Sequence, residues 1–277
     1  SDVYKRQPML PTGPDMDCVE ALVKDEAVKG IWCVPLYSNP DGYSYSDETV
    51  RRLAAMKTAA PDFKIMWDNA YCVHHLTDTH DVILNMLEEC RKAGHEDRAL
   101  MFCSLSKVTF PGAGVAAMAA SRRNIDYILK NMFPMIISFD KLNQVRHIRF
   151  LKDMDGLAAH MEKHRALLEP KFRAVLAILD EGLSGCGSIA RWTKPNGGYF
   201  LSLYTLGGCA KRTVQLCREA GVVLTDAGAA YPYGVDPQDS NIRIAPTFPP
   251  LDELETASRL LCVCVRIATL EKLLQRQ

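Results

Sequence analysis

The stretch FKIMWDNAYCVHHLTDTHDVILNMLEECRKAGHEDRALMFCSLSK, residues 63–107, contains a whole strand–helix–strand unit. Phe63 to Trp67 is an apolar run that reads as a buried strand and enters the polar Asp68-Asn69-Ala70-Tyr71. Asp81 to Ala93 carries its apolar residues at helical spacing, and Ala99 to Cys103 is a second apolar strand ending in Ser104-Leu105-Ser106-Lys107. Strands separated by helices of this length pair in parallel, in a sheet covered on both faces.

The same alternation extends outward. Gly13-Pro14-Asp15 opens a helix running to about Ala27, with Asp15 or Asp17 as its cap. Ile31 to Pro35 is a short strand ended by the turn-rich Ser38-Asn39-Pro40-Asp41-Gly42. A helix from Ser46 to Ala60 has its own Ser cap, with Thr49 where a capping box has Glu. Gly114 to Ala120 is a further small-residue strand. After Ser121 the texture changes to long helical segments, Asn124 to Asp180, with breaks expected near Pro134, Asp155-Gly156 and Pro170. Strands at 189–193, 198–204, 222–225 and 241–245 follow, with helices from Ala210 and from Asp252. The fold class is therefore α/β: a mostly parallel large domain, then a smaller α+β C-terminal domain.

Composition agrees with a globular protein. The chain has 277 residues, 48% hydrophobic, with 33 Lys+Arg balancing 33 Asp+Glu, so charge points to neither nucleic acid nor an anionic membrane. No apolar run approaches the roughly 18 residues of a membrane span. Ten scattered cysteines without a signal peptide read as reduced thiols in a cytoplasmic protein.

In open α/β sheets ligands bind beyond the carboxyl ends of the strands. Three expected strands end there in useful residues: Asn39-Pro40, Asp68 with Tyr71, and Ser104-Leu105-Ser106-Lys107. Each has an ordinary reading alone, as turn, helix cap or solvated lysine. Together with Arg243 in Asn-Ile-Arg-Ile-Ala-Pro and the glycine motif Pro195-Asn-Gly-Gly-Tyr-Phe200, they resemble fold-type I aminotransferases that use pyridoxal 5'-phosphate (PLP). Gly-Pro-Asp-Met-Asp, Tyr-Ser-Asn-Pro-Asp-Gly-Tyr-Ser-Tyr and Ser-Lys-Val-Thr-Phe-Pro-Gly-Ala-Gly-Val-Ala narrow the resemblance to a bacterial aspartate-aminotransferase subgroup. That subgroup is related to the aminotransferase-like domains of MocR regulators.

The resemblance implies roles that the chemistry supports. Lys107 supplies the amine that holds PLP, and later carries a proton to and from the substrate α-carbon. Asp68 keeps the pyridine nitrogen protonated. Asn39 and Tyr71 donate to the ring oxygen, Ser104 and Ser106 to the phosphate, and Arg243 grips the substrate carboxylate with a planar fork. Asn39 also lies toward the substrate. The implied reaction moves an amino group between an amino acid (aspartate) and a 2-oxo acid (2-oxoglutarate) in a homodimer. Alternatives are an aromatic aminotransferase, a β-lyase, or a non-catalytic PLP sensor domain of a MocR-type regulator.

Two departures stand out. The family commonly carries a phosphate-binding arginine eight residues after the lysine; this chain has Val115, inside Pro111-Gly-Ala-Gly-Val115, where glycines can offer backbone amides instead. The chain also matches only about two-thirds of a complete family member, lacking the phosphate loop and the ring-stacking aromatic expected upstream. The expected division is foreign residues at 1–7, a partial large domain at 8–146 and a small domain at 147–277. His160 and His164 share a helix face, but two imidazoles without a third ligand read as surface, not metal. His74 and His75 read as a local loop pair, and Arg146 and Arg149 as surface salt bridges.

Overall fold

The computed structural model describes residues 7–275, so most of the expected foreign stretch, residues 1–6, lies outside the described residues. The chain divides into two compact units. The first takes residues up to 38, 43–73 and 81–162; the second takes 39–42, 74–80 and 163 onward.

The first unit is built on a mixed four-stranded sheet of β3 (Gly30–Cys33), β4 (Lys64–Asp68), β5 (Ala99–Ser104) and β6 (Ala116–Ala120), in that order. A two-residue hairpin, β1 (Met9–Leu10) and β2 (Gly13–Pro14), precedes it. Strands β3, β4 and β5 run parallel, and β6 returns antiparallel to β5. Helix α1 (Met16–Leu22) starts at Asp15, whose carboxylate accepts from the amides of Asp17 and Cys18. Helix α2 (Asp47–Ala55) starts at Ser46, whose hydroxyl accepts from Thr49 N. Thr49, Val50, Leu53 and Ala54 line the buried face of α2, and the last three join Phe63, Ile65, Trp67 and Ala99 of the sheet region in one core. Tyr45 stands edge-on to Trp67 at 5.8 Å. Each buried Val, Leu, Ile or Phe among them contributes about 1.5–3 kcal/mol by leaving water, so this layer holds the strand ends in place. Helix α3 (Met86–Lys92) crosses between β4 and β5; α4 (Arg122–Met132) and α5 (Lys141–Leu151) follow β6.

Some element bounds differ from those expected. The helix expected from Asp81 begins at Met86, because Asp81 is held elsewhere: its carboxylate accepts from Ser44 Oγ and its amide donates to the Tyr37 hydroxyl. Asn85 caps the helix instead. The first helix stops at Leu22, not Ala27; the Asp25 carboxylate accepts from Ala27 N, a local turn that competes with helix.

The second unit holds an antiparallel sheet of β7 (Ala190–Trp192), β8 (Leu201–Thr205) and β9 (Asn241–Ile244). Helix α6 (Met154–Leu183) enters it from residue 163, joined by α7 (Ala210–Glu219) and α8 (Leu251–Leu274). Register decides the two faces of the sheet. Leu201 pairs with Ile244 and Leu203 with Ile242, and all four are buried in a core with Phe172, Val175, Leu179, Leu261 and Val265. Period-two alternation puts Ser202, Tyr204, Asn241 and Arg243 on the opposite face.

Two expectations fail here. Pro170 lies inside the continuous 30-residue α6 and does not end it. The break expected near Asp155-Gly156 is present just before it, where Lys152 takes φ +66° between α5 and α6. The strand expected at 222–225 is absent: Val222 N donates to Cys217 O to end α7, and Val223 is 79% exposed. None of the ten cysteines forms a disulfide, and no helix among the described residues is long and apolar enough to cross a membrane.

Candidate active site

The first cluster sits at the carboxyl ends of the parallel strands. Asp68 is the last residue of β4, half-buried, beside Phe102 of β5 in register. The next amide, Asn69 N, donates to Phe102 O at 2.8 Å and ties the following turn to β5. That turn carries the buried Tyr71. Three residues beyond β5, Lys107 brings its Nζ to 5.1 Å from the Tyr71 ring centroid, within reach of a cation–π contact. Asp68, Tyr71 and Lys107 therefore gather around two adjacent strand ends of one sheet.

Between β5 and Lys107 lies a small hydroxyl cradle. Ser104 Oγ donates to Ser106 Oγ at 2.9 Å and accepts from Ser106 N at 3.1 Å. The loop returning to β6 closes over it: Leu105 N donates to Val115 O at 2.8 Å. Gly114 approaches so closely that a Cβ there would lie 2.6 Å from Ser106 Oγ, so any other residue would fill the cradle.

The second cluster belongs to the second unit. Arg243 of β9 donates from Nη1 to Asn39 Oδ1 at 3.2 Å, and its Cζ stands 4.7 Å from the Phe200 ring centroid. Its Nε is buried and has no hydrogen-bond partner among the described residues. A buried guanidinium N–H without a partner is costly, and an anionic acceptor would satisfy it. Two residues from Asn39, Asp41 is 3% exposed and accepts from the Tyr204 hydroxyl at 2.5 Å. Burial, and then the carboxylate beside it, push the Tyr204 phenol well above its usual range, so it remains a donor. Arg191 lies 3.7 Å over the same ring. The structure thus joins Lys107 with Tyr71 and Arg243 with Asn39. Gly114 is one of the two glycines expected to serve a phosphate, whereas the sequence assigns no role to Asp41 or Tyr204; 163 positions separate Tyr204 from Asp41, and no local signal links them.

His74, His75 and His160 have local partners. His74 is buried edge-on to Tyr199, and His75 stacks on His80 at 3.7 Å. His160 shares a hydrogen bond with Val108 O at 2.8 Å, and no metal-binding group of three His, Cys, Asp or Glu occurs among the described residues. Arg146 and Arg149 are exposed on α5, and neither forms an ion pair among the described residues, contrary to expectation.

Comparison with known proteins identifies the family and the fold. Residues 6–277 match the family described as aspartate amino-transferase. A Mycolicibacterium smegmatis protein is 50% identical over 268 residues, covering 96% of this chain and 62% of its own length. An aspartate aminotransferase of Corynebacterium glutamicum is 45% identical, covering 95% of this chain and 61% of its own. The chain therefore spans about 62% of the length of such relatives. A crystal structure of an aspartate transaminase from Corynebacterium glutamicum superposes with a TM-score of 0.94 at 45% identity, covering 96% of this chain and 62% of that one. The Thermus thermophilus alpha-aminoadipate aminotransferase LysN, complexed with N-(5'-phosphopyridoxyl)-L-leucine, shares the fold at a TM-score of 0.78 and 22% identity, covering 95% of this chain and 65% of that one. The fold is the α/β fold of fold-type I aminotransferases, and the chain belongs to the aspartate aminotransferase family.

Proposed function

We propose that this chain forms the lysine- and carboxylate-binding part of a PLP-dependent transaminase that moves an amino group from aspartate to 2-oxoglutarate. The observation that carries the reading is the half-satisfied Arg243 guanidinium: Nη1 is held by Asn39 while buried Nε lacks a partner. A substrate carboxylate completes such a fork, and Arg suits it better than Lys because its donors are fixed in one plane.

The residues present also fit PLP. A phosphate needs hydroxyl and amide donors in a narrow concavity, and the Ser104–Ser106 cradle beneath Gly114 offers both without the family's usual arginine at Val115. Bound there, PLP would supply an electron sink for the substrate α-carbon. Asp68 is assigned to hold the proton on the pyridine nitrogen, and Tyr71 to donate to the ring oxygen; the family resemblance gives Asn39 the same donor role. Lys107 is assigned both the covalent hold on the cofactor and the transfer of the α-proton. We carry the division into a cofactor-binding part at 8–146 and a small domain at 147–277 as part of this reading, along with a homodimer.

The test is turnover of aspartate with 2-oxoglutarate by the full-length protein, measured beside aromatic donors and a β-elimination substrate. Aspartate is expected to have the highest kcat/KM. Preference for an aromatic donor or for elimination would replace the proposed reaction, and stoichiometric PLP without turnover would favour a sensor.

A further inference from the structure

We infer that Tyr204 is a positioning residue for carboxylate capture: by holding Asp41 it fixes the segment that presents the Asn39 amide to Arg243. The inference rests on the reading of Arg243 as the carboxylate fork.

The argument begins with the sheet. In the β8–β9 register Ser202 opposes Arg243 and Tyr204 opposes Asn241, so these four side chains stand on one face. Asn241 Nδ2 donates to Ser202 Oγ at 3.1 Å in the middle of that face, and both residues are buried. Tyr204 and Arg243 therefore flank a fixed polar pair. Each reaches the same four-residue segment, 39–42: Arg243 donates to Asn39, and Tyr204 donates to Asp41. The segment is thus held at two points, two residues apart, by one rigid sheet face.

The second point is the stronger hold. Asn39 is exposed and its link to Arg243 is a 3.2 Å contact, whereas Asp41 is 3% exposed and its link to Tyr204 is short and charge-assisted. Gly42 adds a steric stop. Its φ is +73°, and a Cβ would come within 2.4 Å of Pro195 Cβ, so the segment is packed without slack at that end. Arg191 over the Tyr204 ring restricts the phenol further. Remove the Tyr204 hydroxyl and a buried carboxylate loses its donor. Asp41 then moves toward water, and the Asn39 amide two residues away moves with it. Arg243 loses the contact that aims its fork.

The test measures binding apart from turnover. Succinate, a dicarboxylate with no amino group, is titrated calorimetrically into the full-length protein and its variants. Tyr204→Phe is expected to raise the succinate Kd by about five- to twentyfold, the loss of one charge-assisted hydrogen bond felt at one remove. Added to Asn39→Ala, the same change is expected to have little further effect, because both act through one amide. Asp41→Asn keeps an acceptor for the phenol and is expected to restore most of the affinity lost in Asp41→Ala. This pair keeps the idea testable should Tyr204→Phe fold poorly. A Tyr204→Phe protein that binds succinate like wild type, or effects that add fully with Asn39→Ala, would overturn the positioning role while the Arg243 reading stands. An Arg243→Ala protein with unchanged succinate affinity would instead overturn that reading, and this inference with it.

Discussion

Lys107 Nζ stands 5.1 Å from the centre of the Tyr71 ring, two side chains delivered by the ends of adjacent parallel strands. Neither residue belongs to a regular element; the turns leaving β4 and β5 bring them together. If Lys107 is the covalent anchor, borohydride treatment of the PLP-loaded full-length protein fixes the cofactor on that residue, and peptide mass spectrometry finds it there. Lys107→Ala is expected to abolish the adduct. An adduct at one other defined lysine would show the anchor to be elsewhere.

Asp68 terminates β4 one residue before the amide that ties the turn to β5. Asp68→Asn preserves shape and removes charge. We expect the variant to retain PLP while turnover falls by several orders of magnitude, because a ring nitrogen without an anionic partner loses its proton. Cofactor content by absorbance, read beside kcat, checks this; near-normal kcat would leave Asp68 with only a structural part.

Arg243→Lys exchanges a planar fork for a point charge and breaks both the Asn39 contact and the stacking on Phe200. Charged hydrogen bonds contribute about 1.5–3 kcal/mol each. The KM for the amino acid is therefore expected to rise by roughly one to two powers of ten, with PLP affinity little changed. Equal losses in PLP and substrate affinity would point to a damaged fold.

A stability prediction concerns Asp236, buried where the chain turns into β9. Burial favours its neutral form, yet the amides of Ser240, Asn241 and Gln238 together outweigh that and hold its carboxyl below the ordinary range. A depressed folded pKa stabilises the protein above the unfolded value, about 3.9, and the contribution disappears as pH falls through the folded value. Asp236→Asn is expected to cost about 1–2 kcal/mol at neutral pH, with the gap to wild type closing below about pH 4. Urea unfolding across that range measures it. A gap independent of pH would mean that the charge contributes nothing.

Much of this was legible in the sequence, for identifiable reasons. The caps at Asp15 and Ser46 act locally, and each accepts amides within three residues. The strand ends at Asp68 and Ser104 follow from apolar runs meeting polar ones. What was not legible depends on distant partners. Asp81 looks like a helix start until Tyr37 and Ser44 claim it. Val222 to Thr225 looks like a strand until no neighbour pairs with it. Pro170 looks like a helix end, but α6 continues through it. In the candidate site, resemblance pointed to Asn39 and Arg243, whereas the Asp41–Tyr204 pair is a tertiary contact that only the folded chain reveals.

The second unit draws on residues 39–42 and 74–80, which lie far upstream of its remaining chain. Leu76 from the later piece is 4% exposed within that unit's hydrophobic core, and its amide donates to Asn196 O. A gene segment encoding only residues 163 onward would therefore produce a protein with a hole where Leu76 belongs, a defect of about 2–5 kcal/mol for a buried leucine. It would also leave the Tyr204 hydroxyl without its acceptor. A single genetic crossover anywhere after residue 80 therefore cannot transplant this unit intact into another gene.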